Sequence, residues 1–212
     1  MKITGIKTYW LKVPYDKPFE PTWYPGKRET HQHILLVRVM TDEGIEGYGS
    51  GEFPFGLTPT YMTFIQDMIA PWLIGQDPLM IEKLATRLKG DGRLAPRPWI
   101  VENALWDILG KKAGLPAYKV MGGYRDHIPA YAAMCELRSD EERQEDALRL
   151  FDEGFRAVKL RLFMPTIKED IHIVENIRKA VGDKMTIICD ANQGPVRDRN
   201  FEGGRVPFWT YQ

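Results

Sequence analysis

Alternation and helical spacing divide the chain into two patterns. Residues 2–13 are rich in Ile, Thr, Tyr, Trp and Val and predict a strand. Residues 14–30 hold Pro14, Pro18, Pro21, Pro25 and Gly26, which predicts an irregular stretch, neither helix nor central strand. HILLVRVMT predicts a second strand, Asp42-Glu43-Gly44 a turn, and IEGYGSGE the returning strand of an antiparallel meander. Glycine at alternate positions of that return strand implies a bulge or the close approach of another backbone. A second loop covers residues 53–59. Three- and four-residue apolar steps then predict a helix over 60–74, kinked or shortened by Pro71, another over 77–89 with Pro78 near its start, and a third over 99–112 ended by Gly114. A short turn at 116–121 closes on Gly122-Gly123.

Near residue 125 the pattern changes. IPAYAAMC predicts a buried strand, and Ser139 with Glu142 three positions on predicts a capping box opening a helix to Asp152. FRAVKLRLF predicts a strand and residues 167–181 a helix, with Ile171, Val174, Ile177 and Val181 on one face. MTIICDAN predicts the next strand. Strand, helix, strand, helix, strand with short turns implies right-handed parallel βαβ units. The expected boundary therefore separates residues 1–125 from 126–212, and residues 193–212 predict a loop.

Composition narrows the partners. The 212 residues carry 29 Lys plus Arg against 29 Asp plus Glu, so no net charge points to nucleic acid or an anionic membrane. Apolar runs are far shorter than the ~20 residues of a membrane helix, and the N-terminal residues do not have the apolar core of a signal peptide. Cys135 and Cys189 have no metal-type spacing and are expected as buried thiols of a reduced, cytoplasmic protein. His31 and His33 could pair on a metal, but loop-to-strand positions are the expectation.

Chemistry concentrates on two strands. Residues two apart on a strand share a face, so Lys159 points with Arg161 and Asp190 with Asn192. Parallel α/β arrays bind ligands at the C-terminal ends of their strands. Lys and Arg facing inward from an apolar strand are costly unless an anion meets them, and a substrate carboxylate would do so. Asp190 could hold a hard cation. A purely structural ion pair between Asp190 and either cation explains the same pattern.

GYGSGE, ALWDILGKKAGLP, VMGGYRDHIPAY, AVKLR and CDANQ, in this order on successive elements, resemble the enolase superfamily, in the mandelate racemase-like branch of the mandelate racemase and muconate lactonizing enzyme family. The resemblance covers nearly the whole chain. It implies an α+β capping domain followed by about three strands of a (β/α)8 TIM barrel. It implies Mg2+-assisted abstraction of the proton alpha to a carboxylate, the electrophilic stabilisation typical of such sites. By the same resemblance Lys159 and Arg161 match the Lys-x-Lys motif that contacts the substrate carboxylate and often supplies a base, Asp190 matches the first of three metal ligands, and Asn192 matches a substrate contact. The loops at 14–30 and 52–59 match those that close over the barrel, with Trp23, Tyr24 and Phe55 as substrate contacts. Full-length members are homo-oligomers acting on small carboxylates.

Two departures shape the expectation. Arg161 stands where many members have Lys, and a guanidinium of pKa above ~12 is a poor base. That favours a sugar-acid dehydratase, in which a His-Asp pair of later strands moves protons, over a racemase, epimerase or cycloisomerase. The second departure is length: a full barrel takes ~250 residues, and 87 follow residue 125. The chain is therefore expected to be truncated, to lack the later ligands and the His-Asp pair, to expose an apolar strand edge, and to be inert alone. A half-barrel that assembles with a partner chain is the alternative outside catalysis.

Overall fold

The computed structural model describes residues 1–22, 26–53, 56–92, 98–164 and 166–191. Backbone contacts gather them into two units. One is Met1–Tyr15 with His31–Asp126, the other Asp16–Thr30 with His127–Gln212. Among the described residues no helix is long and apolar enough to cross a membrane.

The first unit is built on an antiparallel sheet in the order β1-β2-β3. β1 runs Ile3–Phe19, β2 Glu29–Thr41 and β3 Glu46–Glu52, with residues 16–19 of β1 and 29–30 of β2 grouped with the second unit. β1 thus passes straight through Pro14 and Pro18, where an irregular stretch was expected. The reason is its place at the sheet edge: an outward-facing strand position needs no ladder donor, so the missing N–H of proline costs little there. β2 is central and sends Leu35, Val37 and Val39 fully into the core, each worth roughly 1.5–3 kcal/mol of transfer free energy.

Four helices of this unit are α1 Thr58–Phe64, α2 Ala70–Leu73, α3 Ile81–Asp91 and α4 Trp99–Ala113, followed by the short α5 Ala117–Val120. Pro71 leaves its mark as a π-helical turn, Ile65–Ile69, in which the Ala70 N–H reaches back five residues to the Ile65 carbonyl. The wider turn precedes the residue that cannot donate a regular helical bond. Helix α3 begins four residues later than expected from Asp77-Pro78, because Asp77 Oδ1 accepts from the Leu79 N–H (3.0 Å) and holds that segment as a turn. Gly114 ends α4 at φ 65°, as a left-handed C-terminal residue should.

The contact between β3 and α4 depends on glycine. The β2–β3 register runs without a break from Ile34↔Glu52 to Met40↔Glu46, so there is no bulge. Instead the helix backbone lies directly on the strand. A Cβ on Gly49 would stand 1.9 Å from the Ile100 carbonyl oxygen, and one on Gly47 would stand 2.0 Å from that of Ala104. The helix also closes the open edge of β3: Asp107 Oδ2 accepts from the Tyr48 N–H (2.8 Å) and Lys111 Nζ donates to the Glu46 carbonyl (2.7 Å). Capping an edge in this way removes a template for unwanted strand pairing.

The second unit holds a parallel sheet in the order β4-β5-β6: β4 Ala132–Met134, β5 Ala157–Arg161 and β6 Thr186–Asp190. Helices α6 Asp140–Asp152 and α7 Ile167–Val181 connect them. Both helices open with a complete capping box, Ser139 with Glu142 and Thr166 with Glu169. Val158 and Leu160 of β5 pack with Ala147, Ile173, Ile177 and Val181 of the helices. The buried stripe of α7 is therefore Asp170, Ile173, Ile177 and Val181, and Ile171 is half exposed. An aspartate takes a place that an apolar pattern reserves for an apolar residue, which rotates the inner face by one position. Segment 20–22 also belongs to this unit. It pairs with the end of β4 through the bonds Thr22 N–H to Cys135 O (3.0 Å) and Leu137 N–H to Glu20 O (2.8 Å). The cysteines are free thiols and not buried ones: Cys135 is partly exposed and Cys189 exposed. Cys189 shares its face with Leu160, its register partner on β5, and β6 is an edge strand among the described residues.

Candidate active site

β5 sorts its residues by alternation. Val158 and Leu160 face the helices, and Lys159 and Arg161 face the other way. The parallel register places Asp190, the last residue of β6, beside Arg161, the last residue of β5. One carboxylate oxygen, Asp190 Oδ2, then lies 2.5 Å from Arg161 Nη1 and 3.0 Å from Lys159 Nζ. All three side chains are a quarter exposed or less. The structure thus brings three of the expected residues together at the C-terminal ends of adjacent parallel strands, in contact as ion pairs. Asn192, Trp23, Tyr24 and Phe55 lie outside the described residues.

The cluster sets the state of Lys159. Its hydrogen bond to Asp190 raises the ammonium pKa above the ordinary lysine value. Partial loss of water and the Arg161 charge pull the other way but do not win. Lys159 is therefore an ammonium at neutral pH, and Arg161 is a guanidinium at any pH proteins meet. Neither is a free base in this arrangement.

β4 lines the same face. Ala133 is the register partner of Lys159, so Tyr131 and Cys135, two positions either side, project with it. The Tyr131 hydroxyl is 3.5 Å from Lys159 Nζ, and the ammonium lies 5.4 Å from the ring centroid. Cys135 feels the positive charge of Arg161 and Lys159, but burial outweighs it and pushes the thiol pKa up. These two residues were not among the expected ones. The alternation in AYAAMC held the signal, but reading it required the β4–β5 register. His33 is part of β2, and its Nδ1 accepts from Trp10 Nε1 (3.0 Å), an ordinary structural bond.

Magnesium does not fit these residues alone. A hard divalent cation takes about six oxygen ligands. Asp190 offers one carboxylate, already shared by two cations, and among the described residues no group of three or more His, Cys, Asp or Glu is placed to hold a metal.

An antiparallel sheet carrying helices, followed by parallel βαβ units with charged residues at the strand ends, defines a capping domain and part of a TIM barrel. Two family models match. The mandelate racemase / muconate lactonizing enzyme N-terminal domain covers residues 12–122, and the enolase C-terminal domain-like model covers residues 142–205. The chain belongs to the mandelate racemase / muconate lactonizing enzyme family of the enolase superfamily. It is 30% identical to the N-succinyl-L-Arg/Lys racemase of Bacillus cereus over 201 residues, 92% of this chain and 53% of that protein. It is 32% identical to the D-galactarolactone cycloisomerase of Agrobacterium fabrum over 206 residues, 92% of this chain and 52% of that one. The crystal structure of L-talarate/galactarate dehydratase from Salmonella typhimurium LT2, liganded with Mg and L-lyxarohydroxamate, superposes with a TM-score of 0.77 at 26% identity, covering 90% of this chain and 52% of that one. The chain spans about half the length of the curated relatives it matches. Among these relatives are dehydratases, cycloisomerases and epimerases.

Proposed function

We propose that this chain carries the carboxylate-binding side of a sugar-acid dehydratase. Such an enzyme removes the proton alpha to a carboxylate and then expels water from the neighbouring carbon. The observation that supports this is the convergence of Lys159 and Arg161 on the Asp190 carboxylate at the C-terminal ends of β5 and β6, where a substrate carboxylate would meet the same two cations. Arg161 would take that group through its planar fork of N–H donors, and Lys159 would add a point charge beside it. Together they would favour the extra negative charge that develops on the carboxylate as the alpha proton leaves.

The protonation states favour dehydration over racemisation. A racemase needs a base on each face of the substrate. Lys159 is held as an ammonium and Arg161 does not deprotonate, so β5 supplies no base in this arrangement. The proton-abstracting group and the remaining oxygen ligands that would join Asp190 around magnesium are then expected from barrel strands that follow β6 and are not among the described residues. By itself the chain is proposed to be inert.

The test has two arms. The chain alone, with magnesium and a panel of aldonic and aldaric acids, should form no 2-keto-3-deoxy acid. Fused in frame to strands four to eight of a dehydratase relative, it should form that product, and Arg161→Met in the fusion should abolish it. Turnover by the chain alone would overturn the inertness. Exchange of the alpha proton by the fusion without loss of water would replace the dehydratase reading with an epimerase or racemase.

A further inference from the structure

Arg161 is the last residue of β5, and a strand end is where a backbone frays unless something holds it. Here the next three amides are all bonded. The Leu162 N–H donates to the Asp190 carbonyl (3.0 Å), which extends the ladder by one step. The Phe163 and Met164 N–H groups both donate to one oxygen of Asp170, at 3.1 and 3.2 Å. Asp170 lies in the first turns of α7 and is 1% exposed. Its second oxygen, Oδ2, has no hydrogen-bond partner among the described residues. Burial penalises its charged form and the two backbone bonds favour it, so this is a costly place for a carboxylate. From the other side, the guanidinium of Arg143 on α6, also 1% exposed, sits 4.9 Å from the centre of the Phe163 ring. Two buried charged side chains from two helices thus grip one loop, one by its backbone and one by its aromatic ring.

We propose that Asp170 is a positioning residue for Arg161. By fixing the amides two and three residues beyond it, Asp170 holds the end of β5 in the register that keeps the guanidinium on Asp190. Neither Asp170 nor Arg143 faces the ion-pair cluster, so the effect passes through the backbone. The consequence for catalysis rests on the carboxylate-binding role proposed above. The geometry itself can be tested without turnover.

The measurement is NMR of the 212-residue chain. In the wild type, the Arg161 guanidinium protons, assigned by their loss in Arg161→Lys, should be slowed in solvent exchange by the pair with Asp190. Asp170→Ala should speed that exchange by roughly tenfold or more, the scale of losing bonds to a charged acceptor, while the β5 and β6 amides keep their dispersion. Asp170→Asn retains an acceptor oxygen in the same place and should restore slow exchange. A merely structural aspartate would alter stability without separating these two variants at Arg161. Unchanged Arg161 exchange in Asp170→Ala, or equal loss in Asp170→Asn, would overturn the proposal. If Asp170→Ala does not fold, the wild type still decides: the Phe163 and Met164 amides must be protected from exchange, and rapid exchange at both would overturn the proposal. Failure of the dehydratase reading would leave these signals as they are, and failure here would leave that reading to its own assay.

Discussion

In the antiparallel sheet, the β3 face toward α4 has almost no side chains. Gly47 and Gly49 let a helix backbone lie where side chains would normally stand, and the space is spent on packing. In the parallel sheet, β5 splits its faces differently. Val158 and Leu160 go to the helices, and the face away from them carries Lys159 and Arg161, paired on Asp190. The first arrangement tolerates almost no added volume. The second holds charge at a strand end that conventional packing would have filled with apolar groups. The contrast separates a surface selected for closeness of approach from one suited to meeting an anion.

The largest effect expected is at Gly49. Its Cβ in Gly49→Ala would meet the Ile100 carbonyl oxygen at 1.9 Å and the carbonyl carbon at 2.9 Å, both backbone atoms that cannot step aside as a side chain can. The helix must lift, and the loss should be about 3 kcal/mol, at the upper end of overpacking costs. Ala133→Val adds more volume to β4, but at an exposed position, and should stay within about 0.5 kcal/mol. Urea unfolding of both variants checks the comparison. Equal midpoints would mean that α4 does not rest on the strand backbone.

The second effect is on the charged face and reads out in pH. In Asp190→Ala the Lys159 pKa should drop back toward its ordinary 10.5, because the Asp190 bond is the main cause of its rise. The sign follows from linkage. A folded pKa above the unfolded value stabilises the fold fully below pH 10.5, and that contribution disappears as pH climbs through the raised value. The wild type should therefore lose the Lys159 part of its stability advantage over Asp190→Ala at alkaline pH, while the Arg161 part remains. A 13C titration of Lys159 Cε, with urea midpoints on either side of pH 10.5, tests this. An unmoved Lys159 titration would show that the ion pair is absent in solution.

How far the sequence led differs between the two sheets. Alternate glycines in a strand admit few explanations, so the close backbone approach at β3 was legible. Which helix approaches was not, because that depends on contacts some fifty residues away. Lys159, Arg161 and Asp190 were legible because alternation fixes the face and strand order fixes the end of the sheet. Tyr131 and Cys135 needed the β4–β5 register, which no local pattern sets. Of the readings that failed, two have a clear physical reason in side-chain and backbone hydrogen bonding. Proline was taken to end β1, yet at an edge its missing donor is harmless. Ile171 was placed on the apolar face of its helix, yet the buried position belongs to Asp170, whose polarity is compensated by two backbone N–H groups that lie outside the helix. A rule that sorts by polarity alone misses a buried carboxylate that is hydrogen-bonded.

Helix starts sharpen the comparison at a smaller scale. The helices of the parallel unit open on Ser139 and Thr166, each accepting from the N3 backbone, and Ser139→Ala or Thr166→Ala should cost about 1 kcal/mol apiece. The helices of the antiparallel unit open on Leu57, Met80 and Pro98 with no side-chain cap. They draw their stability from buried apolar faces such as Ile81, Leu84 and Leu88 of α3.

That difference predicts a gain. Met80 is 54% exposed and stands outside the core, so replacing it forfeits little packing. Met80→Ser would place a hydroxyl where the first turn of α3 has unpaired N–H groups, and should stabilise the chain by about 0.5 kcal/mol, the low end of capping energies. The low end is expected because Met80 sits at φ −83° and ψ 51°, away from the extended backbone that aims a capping oxygen best. A thermal melt compared with Met80→Ala isolates the hydroxyl, since both variants lose the same thioether. A melting temperature for the serine variant no higher than for the alanine variant would mean that α3 begins in a backbone that no side chain can cap. Its register would then be set entirely by the core beneath it.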